Sequence, residues 1–320
     1  MSGARLKRNE LVETAFAIFW SRARNEGLPS IAGVAVSLDD LRDEISHRTG
    51  VTRQNNKWIA TQLRNYEKEQ NVRLFSFRRD RDGGEQVRVS DTLVSFVQKK
   101  HLHRPEKVRL AAALADLIES EYGTGIKPLR VLLGAGTTLT LAADVIAGRA
   151  ATMRRPLEIL THNVGILETL IQPDTPSSVT VTVPYGTFDP VTYTLLPVHA
   201  RDLAFETVEL AVQGTSALYQ SELYVESERE AEAKRAVLQG PASTKVLVLT
   251  LHEFTAVAPE SMYSYGDLEE YNLVVFPRMK HPTADQEQAL SWLESSLPHY
   301  ERTVRHWHYE ILKRRRQDAQ

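Results

Sequence analysis

Leu129-Arg130-Val131-Leu132-Leu133 runs into Gly134-Ala135-Gly136-Thr137-Thr138, and Leu139 to Arg149 then carries a helical apolar period. Leu157-Glu158-Ile159-Leu160-Thr161 follows as a second apolar run, and His162-Asn163 opens another helix. A buried strand, a glycine turn with hydroxyls and a helix N-terminus form the physical recipe for an anion pocket. Glycines admit close backbone approach, free N–H groups point outward, and the helix dipole favours negative charge. The stretch therefore predicts an α/β unit that holds a phosphorylated small molecule.

Strands and helices continue to alternate beyond it. Further strands are expected at 179–183, 193–198, 207–212, 245–251 and 272–276, with helices at 163–172, 227–239, 284–296 and 300–315. Such alternation predicts a doubly wound, mostly parallel sheet. The last helix would end in Lys313-Arg314-Arg315-Arg316, a basic end that complements its dipole. Before the glycine turn, residues 105–122 carry Val108, Leu110, Ala111, Leu114, Leu117 and Ile118 at helical spacing. Residues 99–122 read as connector and first helix of an α/β domain spanning 99–320.

Residues 1–98 have another pattern. An amphipathic helix covers 10–24, and Ser37 caps a second one with Leu38, Leu41 and Ile45 on one face. Gly50 breaks that pattern, and Thr52 is placed to cap a third helix from Arg53 to about Gln70, with Ile59, Leu63 and Tyr66 inward. Two alternating runs, 72–77 and 86–89, flank a charged turn at 78–84. Three helices followed by a hairpin with a basic tip predict a winged helix-turn-helix. In that motif the second of the paired helices meets base edges through its first residues. Here those are Thr52, Arg53, Gln54, Asn55, Asn56 and Lys57, types that read guanine and adenine through paired hydrogen bonds. Arg64 lies further along the helix, and Arg78, Arg79 and Arg81 are placed to follow phosphates.

Composition agrees with two parts. The 320-residue chain has a formal net charge of -2, yet residues 1–110 hold 21 Lys and Arg against 14 Asp and Glu, and the remainder 18 against 27. A basic first third suits a polyanion partner. Cysteine is absent, which excludes disulfides, cysteine zinc sites and a cysteine nucleophile and fits a cytoplasmic setting. No secretory leader or membrane-length apolar run is visible, so no membrane partner is expected. His306 and His308 alternate on the expected last helix and face apart, a poor metal pair. Glu230 and Lys234, at i and i+4, read as a surface ion pair. No P-loop lysine, zincin motif or nucleophile elbow occurs, so no metal, cofactor or catalytic residue is assigned.

The order of parts resembles the DeoR family of bacterial transcription regulators, which join a helix-turn-helix to a sugar-phosphate-sensing domain similar in fold to ribose-phosphate isomerases and CoA transferases. The resemblance covers about residues 37–276. Glu106 to Ile118 is similar to the family's connector helix, Leu133-Gly134-Ala135-Gly136-Thr137-Thr138 to its D-S-G-T-T phosphate loop, and Leu160 to Ile166 to its T-N-S strand end. Glu230 to Val237, with Val246 to Thr250 after it, is similar to its E-A-x-x-K-R helix and next strand, and Gln213-Gly214-Thr215-Ser216-Ala217 stands in place of its G-A-S-G loop. The resemblance implies a ligand pocket formed by Gly134, Gly136, Thr137, Thr138, His162, Asn163, Gly214 and Ser216, with the amides of 136–138 on phosphate. It departs where the family's aspartate becomes Gly134 and where its D-x-S-K-F becomes Thr250-Leu251-His252-Glu253-Phe254, placing Glu253 where the family has lysine. That exchange reverses a charge beside the expected pocket.

The expected function is a ligand-responsive regulator rather than an enzyme, acting as a homo-oligomer on double-stranded DNA and sensing a phosphorylated sugar or nucleotide-like metabolite. The alternatives are a sugar-phosphate or CoA-ester enzyme with an accessory winged helix, with Glu253, Glu158 or Asp189 as the acid/base candidates, and an interaction module with a vestigial pocket.

Overall fold

The computed structural model describes residues 6–26, 31, 34–52, 54–70, 72–79, 84–90, 96–100, 102–190, 192–197, 199, 207–255, 258–259, 262–278 and 284–315. The chain forms two compact units, Met1–Arg104 and Pro105–Gln320. The division falls six residues after the 98/99 boundary that the sequence pattern predicts.

The first unit runs α1 (Arg8–Asn25), β1 (Ala35–Ser37), α2 (Leu38–Thr49), α3 (Asn56–Gln70), β2 (Phe75–Arg79), β3 (Glu85–Val89) and α4 (Phe96–Lys99). Its strands form one antiparallel sheet in the order β1-β3-β2. The core joins Leu11, Phe16 and Phe19 of α1 to Leu41 and Ile45 of α2, Ile59 and Leu63 of α3, and Phe75, Val87 and Val89 of the sheet. Ser37 caps α2 by accepting from the Asp40 amide, and Gly50 ends it with a φ of 71°. The third helix starts later than the capping pattern suggested. Asn55, not Thr52, is its cap, its Oδ1 accepting from the Trp58 amide at 2.8 Å. A side-chain amide three residues before a free N–H competes directly with the threonine hydroxyl, and here it wins. Glu67 ties α3 to the start of β2, one carboxylate oxygen accepting from the amides of Leu74 and Phe75.

The second unit runs α5 (Arg104–Tyr122), β4 (Leu129–Leu133), α6 (Thr137–Ala150), β5 (Leu157–Leu160), α7 (Val164–Leu170), β6 (Val179–Thr182), β7 (Thr187–Asp189), β8 (Thr194–Leu196), β9 (Val208–Gly214), β10 (Ala217–Tyr219), β11 (Glu222–Val225), α8 (Glu228–Gln239), β12 (Ala242–Val248), β13 (Tyr263–Asp267), β14 (Leu273–Pro277), α9 (Ala284–Ser296), β15 (Tyr300–Arg305) and β16 (Tyr309–Arg314). Eight strands form the main sheet in the order β15-β16-β14-β12-β9-β4-β5-β6. From β14 to β6 every pairing is parallel. Alternate residues of each strand bury on opposite faces. Val131 and Leu133 pack with Leu114 and Ile118 of α5 and Leu139 and Ile146 of α6. Leu132 packs with Ala233 and Val237 of α8, and Leu247 and Val274 pack beside Leu238 of α8 and Leu293 of α9. The unit is thus a three-layer α/β domain with a mostly parallel sheet, doubly wound as its alternation predicts. A small antiparallel sheet, β10-β11-β13, adds to one face.

The expected helix over 300–315 is an antiparallel hairpin, β15–β16, at the sheet edge. Helix formers dominate its composition, but Ile311 and Leu312 alternate onto the two cores of the sheet, and that burial decides the outcome. No described helix is long and apolar enough to cross a membrane.

Candidate functional site

In the main sheet, chain order reverses direction between β4 and β9. From β4 the chain steps outward through β5 and β6, then returns to β9 on the other side of β4 and continues through β12 and β14. The crevice at the carboxyl ends of β4 and β9 is where an open α/β sheet leaves room for a ligand. Gly134-Ala135-Gly136 leaves β4 there, and Gly214-Thr215 leaves β9 beside it.

The loop needs its glycines. Gly136 has φ 125°, a conformation other residues rarely adopt, and it opens α6 with no side-chain cap on the first-turn amides. Gly134 lies against β9, donating its amide to Val212 O at 3.0 Å, and an added Cβ would meet that oxygen at 3.3 Å. From the other side Thr161 Oγ1 donates to Leu133 O at 2.7 Å. Asn163 is a brace: its Nδ2 donates to Gly136 O at 3.0 Å and to Thr140 Oγ1 at 3.3 Å, while its Oδ1 caps α7 by accepting from the Gly165 amide at 3.0 Å. Its side chain shapes the loop rather than offering itself to a ligand.

Two buried lysines converge on this loop. Lys107 of α5 donates from Nζ to Thr137 Oγ1 at 2.8 Å. Lys234 of α8, 2% exposed, donates to Gly214 O at 2.8 Å and reaches Ala135 O at 3.5 Å. The Glu230–Lys234 pair, expected at the surface, is therefore internal, with its charges 3.9 Å apart. Around Lys234, Gln213 Nε2 donates to its backbone oxygen, Tyr271 donates to Gln213 Oε1, and Tyr265 donates to Gly214 O. His162 is buried, and among the described residues neither ring nitrogen has a hydrogen-bond partner. Burial, then the charge of Lys234, pushes its pKa down to about 3, so it is neutral at pH 7.

The carboxylates differ among themselves. Glu106 accepts from the Leu251 amide at 2.7 Å and meets His252 Nε2 at 2.8 Å. Glu253 accepts from the Thr250 amide at 2.9 Å, and burial of its carboxyl pushes the pKa up to about 8. Burial thus favours the protonated form of Glu253 near neutral pH and weakens the charge reversal expected from its position. The lysines supply the positive charge that the sequence seemed to have lost.

Of the eight pocket residues named from sequence, Gly134, Gly136, Thr137, Thr138 and Asn163 share one connected loop, and Gly214 joins them through Lys234. His162 lies beneath, while Ser216 donates its amide to Tyr224 O and turns away into β10. Lys107 and Lys234 were missed. Their signal was present, since Lys234 falls on the same helical stripe as the buried Ala231 and Val237. A cavity of about 430 Å3 lies elsewhere, at the amino ends of the strands. There Arg130 pairs with Glu158, and Glu209 with Arg155, so its two carboxylates are already matched.

On the first unit, the residues named for DNA sort differently. Arg53 and Arg81 lie outside the described residues. Gln54 is buried, Asn55 caps α3, and Asn56 is held by Asp39 and Arg42 of α2. Thr52 and Lys57 are exposed. Lys57, Thr61, Arg64 and Lys68 are all exposed at spacings that form one stripe along α3. Arg64 lies over the Phe77 ring at 4.0 Å and pairs with Glu85 at 3.1 Å, and Arg78 and Arg79 are exposed on β2 rather than at a loop tip. The unit presents a row of cations suited to phosphates more than a set of base-reading amides.

No protein-family model and no curated protein sequence matches the chain. Among solved structures it is similar to ribose 5-phosphate isomerase A from Neisseria gonorrhoeae, at 9% identity over 66% of this chain and 76% of that one, with a TM-score of 0.31. It is similar to eIF2B beta from Chaetomium thermophilum at 11% identity, over 85% of this chain and 72% of that one, with a TM-score of 0.33. An O-methyltransferase family protein from Burkholderia thailandensis shows 9% identity over 99% of this chain and 100% of that one, with a TM-score of 0.29. Nothing about the activity of this chain follows from likenesses at such scores.

Proposed function

We propose that the chain is a ligand-responsive DNA-binding regulator whose α/β unit senses a phosphorylated small molecule, and that it is not an enzyme. The observation that carries this reading is the crevice between β4 and β9. An uncapped helix start, a glycine loop and the buried ammonium groups of Lys107 and Lys234 meet there. Uncapped amides and buried cations favour an anion, and phosphate matches both. The cationic stripe of α3 and β2 supports duplex DNA as the second partner. Regulation requires only that ligand bind DNA-competent and DNA-incompetent states unequally.

The test is duplex DNA binding by the full chain with and without a panel of sugar phosphates, alongside thermal melting. At least one ester should raise the melting temperature and change DNA affinity. Lys234→Met and Thr137→Asp should abolish the melting shift. An absence of salt-dependent DNA binding refutes the regulator, and an absence of any melting shift refutes the sensor. A second reading, an enzyme on the same ligand class, draws support from the proton held by Glu253 beside the charge of Lys107. Turnover of an ester that Glu253→Gln abolishes would establish it.

A further inference from the structure

The β15–β16 hairpin carries an exposed indole at its turn, lying against the His308 ring, and a cluster of guanidinium groups gathered on one carboxylate. Glu310 is a buried carboxylate on β16, opposite Arg305 in the strand register. Arg302 Nε lies 2.5 Å from its Oε2, and the Nε atoms of Arg305 and Arg278 lie 3.7 and 3.9 Å from its Oε1. Three cations thus face one anion, and Arg278 and Arg305 keep 39% and 58% of their side-chain surface exposed. One buried carboxylate gathers these guanidiniums and leaves the group net positive, as a contact to phosphate needs. The turn is equally well held. His306 donates its amide to Tyr309 O at 2.9 Å, Arg278 donates its amide to His308 O at 2.7 Å, and the His306 ring stacks on Tyr309. The ring this turn leaves outside is Trp307, 70% exposed. Burial and then the charge of Arg109 hold the His308 pKa down, so a further cation of α5 stands near the tip.

We infer that this hairpin binds single-stranded nucleic acid, with Trp307 stacking on an unpaired base and Arg278 and Arg305 taking the adjoining phosphates. An indole projecting from a rigid turn needs a base face that is free of pairing, and flanking guanidiniums supply backbone affinity without sequence preference. A duplex hides its base faces. A membrane surface asks for a broad apolar face, and this tip offers one apolar ring. The surface lies within the second unit and stands whether or not the first unit binds duplex DNA.

Fluorescence anisotropy of the full chain with 15-nucleotide oligo(dT) and oligo(U), at several salt concentrations, tests this. At least one strand should bind, and the comparison of the two shows whether the sugar matters. Trp307→Ala should weaken binding about tenfold, whereas Trp307→Phe, which keeps a stacking ring, should stay close to wild type. Arg305→Ala should make the slope of log K against log salt shallower by about 0.7. Trp307 is exposed, so Trp307→Ala should not move the melting temperature, and Arg305→Ala, which leaves Arg302 and Arg278 on Glu310, should move it little. The inference fails if neither strand binds at low salt, or if Trp307→Ala and Arg305→Ala bind as wild type. It also fails if anionic phospholipid vesicles capture the protein through Trp307 while strand binding ignores that residue. Lys57→Ala with Arg79→Ala should weaken duplex binding and make its salt slope shallower while leaving strand binding intact, which separates this surface from the regulator reading.

Discussion

Glu253 and His162 titrate in opposite senses, and their windows overlap only in part. Glu253 has its folded pKa raised to about 8 from 4.5 by burial, so the folded state keeps a proton that the unfolded state releases. Its contribution to stability is full below pH 4.5 and is lost as pH rises to about 8. His162 has its folded pKa lowered to about 3 from 6.5, so its contribution is full above pH 6.5 and is lost as pH falls. Between pH 4.5 and 6.5 the two slopes cancel. Between pH 6.5 and 8 only Glu253 acts, and stability should fall by up to about 1.4 kcal/mol per pH unit. Urea denaturation across that interval should show the fall in wild type and a flat profile in Glu253→Gln. Parallel losses in both proteins would show that Glu253 is ionised throughout. Residue types alone do not reveal this. The glycines and threonines of the loop were legible because their chemistry is local. The proton on Glu253 and the burial of Lys234 depend on what β12, α5 and α8 bring together from distant parts of the chain.

At the scale of elements, α6 and α7 are joined through one side chain. Asn163 follows β5, caps α7 and braces the loop that opens α6. Asn163→Ala should cost about 2 kcal/mol, roughly one for the cap and one for the lost loop bonds. Asn163→Asp keeps the capping oxygen but sets a carboxylate against Gly136 O, so it should rescue little. Unchanged urea midpoints in both variants would contradict the bracing role. Most of the parallel strands and their helices were legible, because a buried strand reads as a continuous apolar run and a covering helix as a 3.6-residue period. The β15–β16 hairpin was not. Its turn, His306-Trp307-His308, contains none of the Gly, Asn or Asp residues that announce a turn, and its strands are rich in charges. What makes it a hairpin is the edge of β14, which no local pattern records.

At the scale of the whole molecule, the charge asymmetry of the sequence acquires a location in the stripe of Lys57, Arg64 and Lys68 with Arg79, which shares the strand face of Phe77 beneath Arg64. If about four of these cations contact phosphates, log K for duplex DNA should fall against log salt with a slope near -3.6, and Lys57→Ala with Arg79→Ala should make it shallower by about 1.8. The same geometry separates affinity from base preference. Asn56 is held by Asp39 and Arg42, and Asn55 is spent on the cap of α3. Asn55→Ala should therefore lower stability by about 1 kcal/mol, as loss of a cap does, without relaxing preference at any base. Asn56→Ala likewise should leave base preference alone. A side chain that reads a base contributes about 1–3 kcal/mol of discrimination at one position. Binding to a panel of duplexes mutated one position at a time would detect a loss of that size. If Asn56→Ala relaxes a single position while its melting temperature stays put, then α3 reads base edges through Asn56, and the phosphate-tracking role given to its exposed stripe is wrong.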